Sequence, residues 1–130
     1  MAFRYPQPVL FKHCDPAGIV FYPRYFEMMN DCVEAFFDDI GHPMHEVLKE
    51  GGVPTVQIGT RFQNPSRHGD ALVLVLEGRK LGRSSFSFEI NAFAGEEPRF
   101  STAQVIVHVD RNDRAAAWPE GLRQALQQHI

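Results

Sequence analysis

Apolar and polar positions follow two different periods along this chain. From Tyr5 to His13 they alternate around Gln7, Val9 and Phe11, which predicts a short strand. Asp15-Pro16-Ala17-Gly18 interrupts it, since Pro and Gly together demand a loop. Pro23 suits the first position of a helix, where its missing N–H is no loss. Phe26, Met29, Val33, Phe36, Phe37 and Ile40 then recur three and four residues apart, while Arg24, Glu27, Asp31, Glu34 and Asp38 hold the opposite side. That spacing predicts an amphipathic helix of about five turns, stopped by Gly41 and Pro43. A shorter helix is expected over Met44 to Glu50, closed by Gly51-Gly52.

Past Gly52 the period becomes two. Val53 to Gln63, Ala71 to Leu81, Ser84 to Ala94 and Arg99 to Val109 read as strands, separated by Asn64-Pro65-Ser66, Gly82 and Ala94-Gly95-Glu96-Glu97-Pro98. In Leu72-Val73-Leu74-Val75-Leu76 both faces are apolar, so the second face also calls for cover, which argues for an oligomer. Pro119 to Ile130 predicts a modest C-terminal helix. The expected fold is α+β, one long helix across an antiparallel meander, in a single domain over residues 1–130.

Composition narrows the function classes. The chain is 44% hydrophobic and 22% charged, which excludes wholesale disorder. A net charge of −3 is too weak to steer nucleic acid. No run is long and apolar enough for a membrane span, and no secretory signal is visible at the N-terminus. Cys14 and Cys32 are too few for a disulfide scaffold and fit reduced thiols in a cytoplasm. Eleven Phe, three Tyr and one Trp are enough to furnish a large apolar core, pocket or subunit interface.

The chemistry concentrates in Cys14-Asp15-Pro16-Ala17-Gly18-Ile19-Val20-Phe21-Tyr22-Pro23. A carboxylate stands just before a turn that leads straight into the long helix. Tyr22 is a poor N-cap, so the first-turn N–H groups are open to a ligand carbonyl or anion. A carboxylate beside such donors is, in outline, a base or nucleophile facing an oxyanion site. A purely structural role is equally available to Asp15, capping its own turn through a side-chain hydrogen bond.

The same run resembles the signature of the 4-hydroxybenzoyl-CoA thioesterase group of hot-dog-fold proteins, and the likeness extends from about Tyr5 to about Val109, taking in Gly69-Asp70 and Leu81-Gly82-Arg83-Ser84-Ser85. The resemblance implies a hot-dog fold, a five-stranded antiparallel sheet wrapped around one long helix, with subunits joined edge to edge as homodimers or homotetramers. It implies that Asp15 is catalytic and that the Tyr22 N–H polarises the thioester carbonyl. It places substrate contacts at Gly18, Phe26, Asn30, Arg83 and Ser84, the last two in the bend expected to meet coenzyme A phosphates. One departure stands out: the position that is acidic in the hydroxybenzoyl enzymes, where it meets the ring hydroxyl, is Asn30 here. A second arrangement within the family carries the carboxylate on the helix, for which Glu27 and Glu34 are available.

Other constellations carry less. Consecutive His13, Cys14 and Asp15 point to alternating sides of an extended chain and cannot converge as a triad. His42-x-x-His45 with Cys14 or His68 matches no standard zinc spacing, so no metal site is expected. Cys32 reads as a buried thiol on the helix. Arg61, Arg67, Arg79 and Lys80 read as solvated charges beside the strands, which deter aggregation, or with Arg83 as phosphate ligands. The resulting expectation is an acyl-CoA thioesterase that needs no cofactor, with Asp15 as nucleophile or general base. The alternatives are an acyl-carrier-protein thioesterase and a non-catalytic acyl-thioester-binding or scaffold protein of a cell-envelope complex.

Overall fold

The structure, a computed structural model, describes residues 2–130. In chain order its elements are β1 (Phe3–Pro8), α1 (Tyr22–Asp39), α2 (Met44–Val47), β2 (Thr55–Phe62), β3 (Ala71–Leu81), β4 (Ser85–Ala94), β5 (Glu97–Val107) and α3 (Glu120–Gln127). The long helix, the four strands past Gly52 and the C-terminal helix lie where the two periods predict them, but only β3, β4 and β5 form a meander, since β2 pairs with β5 instead of β3.

Several boundaries differ, most at the first strand, the second helix and the β4–β5 turn. The first strand ends at Pro8, and a 3-10 turn occupies Phe11–His13. There the Leu10 N–H donates to the ring Nδ1 of His13, and the His13 N–H returns to the Leu10 carbonyl, so local bonds replace the ladder. The second helix is only four residues long. The β4–β5 connection is a two-residue turn, because Gly95 adopts φ +59° and lets Ala94 pair directly with Glu97. Glu97 and Pro98, expected in the loop, therefore belong to β5.

The sheet has the order β1-β3-β4-β5-β2, and every neighbouring pair is antiparallel. This is the sheet-around-helix arrangement implied by the resemblance. On β3 the inner face carries Leu72, Leu74 and Leu76, all at most 1% exposed, and β4 adds Phe86, Phe88 and Ile90. Against them α1 buries Tyr25, Met28, Met29, Cys32, Phe36 and Phe37. Phe36 is the centre of this packing: its ring lies parallel to Phe86 at 6.1 Å and meets Phe3, Phe37 and His129 at 5.8, 5.8 and 5.0 Å. Burial also pushes the Cys32 thiol up to about 12, so this cysteine is an inert core residue. Val73 and Val75 turn to the outer face, which becomes charged farther along where Arg79 meets Glu89 at 2.7 Å.

Helix α1 does not cover the whole inner face. Strand β2 pairs only with β5 and forms one edge of the sheet. Its Ile58 and Phe62, in register with buried Gln104 and Phe100, share the inner face yet remain 44% and 48% exposed. The opposite end of the sheet is closed by the C-terminal segment, where the Trp118 indole N–H donates to the Ser85 carbonyl and Arg123 to that of Gly82.

Phe36→Ala removes the ring around which helix and sheet meet. Truncation of a buried Phe costs about 3–5 kcal/mol, so denaturant unfolding should show a midpoint shift of that size with an unchanged slope.

Candidate active site

The site begins with a hairpin too short to be a sheet element. The Asp15 N–H donates to the Ile19 carbonyl at 3.0 Å, the Gly18 N–H to the Asp15 carbonyl at 2.9 Å, and the Phe21 N–H to the His13 carbonyl at 2.9 Å. Cys14 and Val20 pair between them. Gly18 closes the turn at φ +81°, a conformation that penalises side chains. The hairpin brings Asp15 back along the residues that start α1. The carboxylate uses Oδ1 to accept the Ala17 N–H at 2.9 Å. The turn-capping role is therefore real, and among the described residues it engages one carboxylate oxygen only.

Helix α1 starts without a side-chain cap. Phe21 is the N-cap and offers no acceptor, and Pro23 follows inside the first turn. The Arg24 N–H bends back to the Phe21 carbonyl at 2.8 Å. Tyr22 thus supplies the first helical N–H, at the positive end of an 18-residue dipole.

Two clefts flank this helix start. A cleft of about 290 Å³ is bounded by Ile19, Val20, Tyr22 and Phe62. A larger one, about 860 Å³, runs between α1 and strands β2 and β5, past Phe26, Asn30, Ile58 and Gln104. Phe62 stands between them, with its ring 6.2 Å from Tyr22, 5.8 Å from Tyr25 and 6.4 Å from Phe26. Gln104 is buried on the floor, and its amide reaches only the Met29 sulfur at 3.5 Å and the Thr102 hydroxyl at 3.4 Å. The contact to the Thr102 oxygen is long for a buried amide.

The structure holds Asp15 and Gly18 in the hairpin ahead of Tyr22, and it lines the larger cleft along α1 with Phe26 and Asn30. It sets Arg83 and Ser84 elsewhere, in the β3–β4 bend. That bend is ten residues of β3 away from the Ala71 end beside which the hairpin sits, about 33 Å at ~3.3 Å per residue. Of the helix carboxylates, Glu27 is exposed and pairs with Arg24 at 3.0 Å. Glu34 borders the larger cleft twelve residues beyond Tyr22, about 18 Å along the helix at ~1.5 Å per residue. His13 points its Nδ1 at Leu10 and does not serve Cys14. Among the described residues no three His, Cys, Asp or Glu side chains converge on a metal-sized site. Phe62 and Gln104 were not singled out in the sequence. Their signal was the alternation that places both on inward positions of their strands.

Comparison with known proteins identifies the family and the fold. Residues 9–126 match the Thioesterase-like superfamily. The 1,4-dihydroxy-2-naphthoyl-CoA hydrolase of Trichodesmium erythraeum is 26% identical over 121 residues, covering 88% of each chain. A gentisyl-coenzyme A thioesterase superposes with a TM-score of 0.88 at 26% identity, over 95% of this chain and 99% of the other. A 1,4-dihydroxy-2-naphthoyl-CoA thioesterase from Synechocystis reaches 0.91 at 17% identity, over 98% and 96%, and demonstrates the common hot-dog fold.

His13 is the buried titratable group nearest the hairpin. Burial lowers its proton affinity, the charge of Lys12 lowers it further, and Glu27 opposes them. Its Nδ1 accepts the Leu10 N–H at 2.9 Å, so protonation there removes that bond. The folded state binds the proton less well than the unfolded state, whose histidine titrates near 6.5. The contribution is therefore complete above that value and is lost as pH falls toward the folded value. Unfolding titrations at pH 7.5 and 5.5 should show lower stability at 5.5, with a smaller difference in His13→Gln.

Proposed function

The chain belongs to the Thioesterase-like superfamily, and from that premise we propose that it hydrolyses an acyl-coenzyme A thioester to a carboxylic acid and free coenzyme A. The observation that carries this reading is the 13–21 hairpin, which pairs Asp15 with Ile19 just ahead of the uncapped start of α1 at Tyr22. In this reading the thioester carbonyl oxygen accepts the Tyr22 N–H, and the helix dipole stabilises the negative charge that develops on it. Asp15 attacks the carbonyl carbon to form a mixed anhydride that water then opens, or it takes a proton from the attacking water. In either route the C–S bond breaks and coenzyme A leaves as a thiolate. The chemistry calls for no metal or redox group.

For the acyl group we favour an aromatic ring with polar substituents. The rings of Tyr22, Tyr25 and Phe26 around Phe62 offer flat apolar walls, and Asn30 and Gln104 offer amides in the larger cleft. The relatives named for dihydroxynaphthoyl- and gentisyl-coenzyme A fit the same class. The run Cys14 to Pro23 resembles the signature of the 4-hydroxybenzoyl-CoA group, but with Asn30 in the helix we do not extend the reading to 4-hydroxybenzoyl itself.

The working unit in this proposal is at least a dimer, joined along β2. That strand is an open edge with exposed Val56, Ile58 and Phe62, and a second copy would satisfy its backbone and cover its apolar side chains. A two-fold pairing runs the two β2 strands antiparallel. It therefore sets the Asp15 end of one sheet on the same rim as the Arg83 end of the other. Arg83 and Ser84 would in this way serve coenzyme A bound at a site other than their own chain's. Among the described residues no helix is long and apolar enough to cross a membrane, and both cysteines are free. We place the protein in the cytoplasm.

Two measurements test the proposal. Thiol release should be seen from aromatic acyl-CoAs, and Asp15→Asn should lower kcat by roughly 10²–10⁴, more if Asp15 is the nucleophile, while the melting temperature is nearly kept. Near-normal turnover by a folded Asp15→Asn protein would remove Asp15 from the mechanism. Light scattering at micromolar concentration should give at least twice the 14.8 kDa of one chain; a monomer would rule out the shared rim.

A further inference from the structure

We propose that the Arg99–Asp70 ion pair is the positioning device of the site: it shapes the 66–70 turn, and that one turn anchors both ends of the segment carrying Asp15. The anchoring is visible in the backbone. Before the segment, the Val9 N–H donates to the Asp70 carbonyl at 2.8 Å, and the Gly69 N–H donates to the Val9 carbonyl at 2.9 Å. After it, the Val20 N–H donates to the Ser66 carbonyl at 2.8 Å. Residues 9 and 20 bracket the 3-10 turn, the hairpin and Asp15, so the segment between them is tied at both ends to the same five residues.

Within the turn the Asp70 N–H donates to the Arg67 carbonyl at 3.0 Å. The turn lies between β2 and β3, outside any ladder, and Gly69 sits at φ +94°. Its shape comes from Arg99 on β5, whose side chain is only 12% exposed. One guanidinium nitrogen, Nη1, donates both to Asp70 Oδ2 at 2.7 Å and to the Ser66 hydroxyl at 3.0 Å. Asp70 Oδ2 also accepts the Arg67 N–H at 2.9 Å. Glu97 lies 2.9 Å from Nε, an ionic contact without the alignment of a hydrogen bond. The hydrogen bond from Arg99 holds the Asp70 carboxyl below its ordinary range, so the pair is intact throughout the neutral range. The Gly69-Asp70 pair of the sequence thus has a mechanical reading: the glycine permits the turn, and the aspartate locks it to a rigid central strand.

Arg99 and Asp70 touch no reacting atom in this proposal. Their effect passes through the turn to the position of Asp15 against the Tyr22 N–H, and a displacement of about 1 Å at a reacting group is enough to cost up to a hundredfold in rate. The catalytic half of the inference rests on the function proposed above; the anchoring half does not.

The test compares Asp70→Asn and Arg99→Lys with the unaltered protein, by deuterium exchange and by steady-state kinetics on an acyl-CoA that the unaltered protein hydrolyses. Asp70→Asn should speed exchange across residues 9–21 about tenfold while the amides of β3 and β4 stay protected. It should lower kcat about tenfold with KM within about twofold. Arg99→Lys keeps the charge but not the guanidinium geometry, and should show the same pattern more weakly; it also serves if Asp70→Asn does not fold. Unchanged exchange at 9–21 overturns the inference, as does faster exchange spread evenly over the chain. So does an unchanged kcat in these variants where Asp15→Asn is inactive. Faster local exchange together with a fully active Asp15→Asn protein would support the anchoring and overturn only the function proposed for Asp15.

Discussion

The burial of one stripe of α1 against the inner face of the sheet is the constraint on which the other features depend. Phe36 stacked on Phe86, with Met28, Met29 and Phe37 along the same stripe, sets where the helix lies. Once that is set, the start of the helix must emerge at the end of the sheet where β1 finishes and β3 begins. The hairpin that joins β1 to α1 is then confined to that end. The same placement leaves the inner face of β2 uncovered, since a single helix about 10 Å across cannot span five strands spaced ~4.8 Å apart. The open cleft and the open edge are two results of one packing decision.

The site itself is assembled from groups that the core does not need. Pro23 removes one donor from the first helical turn, and Phe21 supplies no cap, so the helix start is deliberately incomplete as a structural element. Asp15 spends one carboxylate oxygen on its own turn and keeps its backbone N–H and carbonyl in two local hydrogen bonds, with Ile19 and Gly18. A residue held this way is fixed without being fully buried, as the base or nucleophile proposed above would need to be. The anchoring of its segment through Ser66 and Asp70 transfers the stiffness of β5 to a loop that has no ladder of its own.

Much of this was legible in the chain. The helical period from Phe26 to Ile40 and the period of two beyond Gly52 identify α1 and the strands β2 to β5, because side-chain burial is periodic in the same way as the backbone. The run from Cys14 to Pro23 marks the candidate site for a different reason: its turn chemistry and its missing cap are local properties of adjacent residues. Errors arose where local and long-range bonding compete. His13 captures the Leu10 N–H and turns a predicted strand into a 3-10 turn. Gly95 closes a hairpin in two residues and moves Glu97 and Pro98 into β5.

By itself, then, the sequence determined the elements, the inward positions and the segment that bears Asp15, all of which depend on residues within a few positions of one another. Only the tertiary structure decided what those elements bring together. Phe62 joins Tyr22, Tyr25 and Phe26 because β2 crosses to the far side of β5, a choice of strand order that no local pattern encodes. Arg99 meets Asp70 across twenty-nine positions of chain for the same reason. The separation of Arg83 from Asp15 likewise follows from the length and direction of β3 within the assembled sheet. Periodicity specifies which face of an element is buried, whereas the partner on that face is set by how all the faces are satisfied at once.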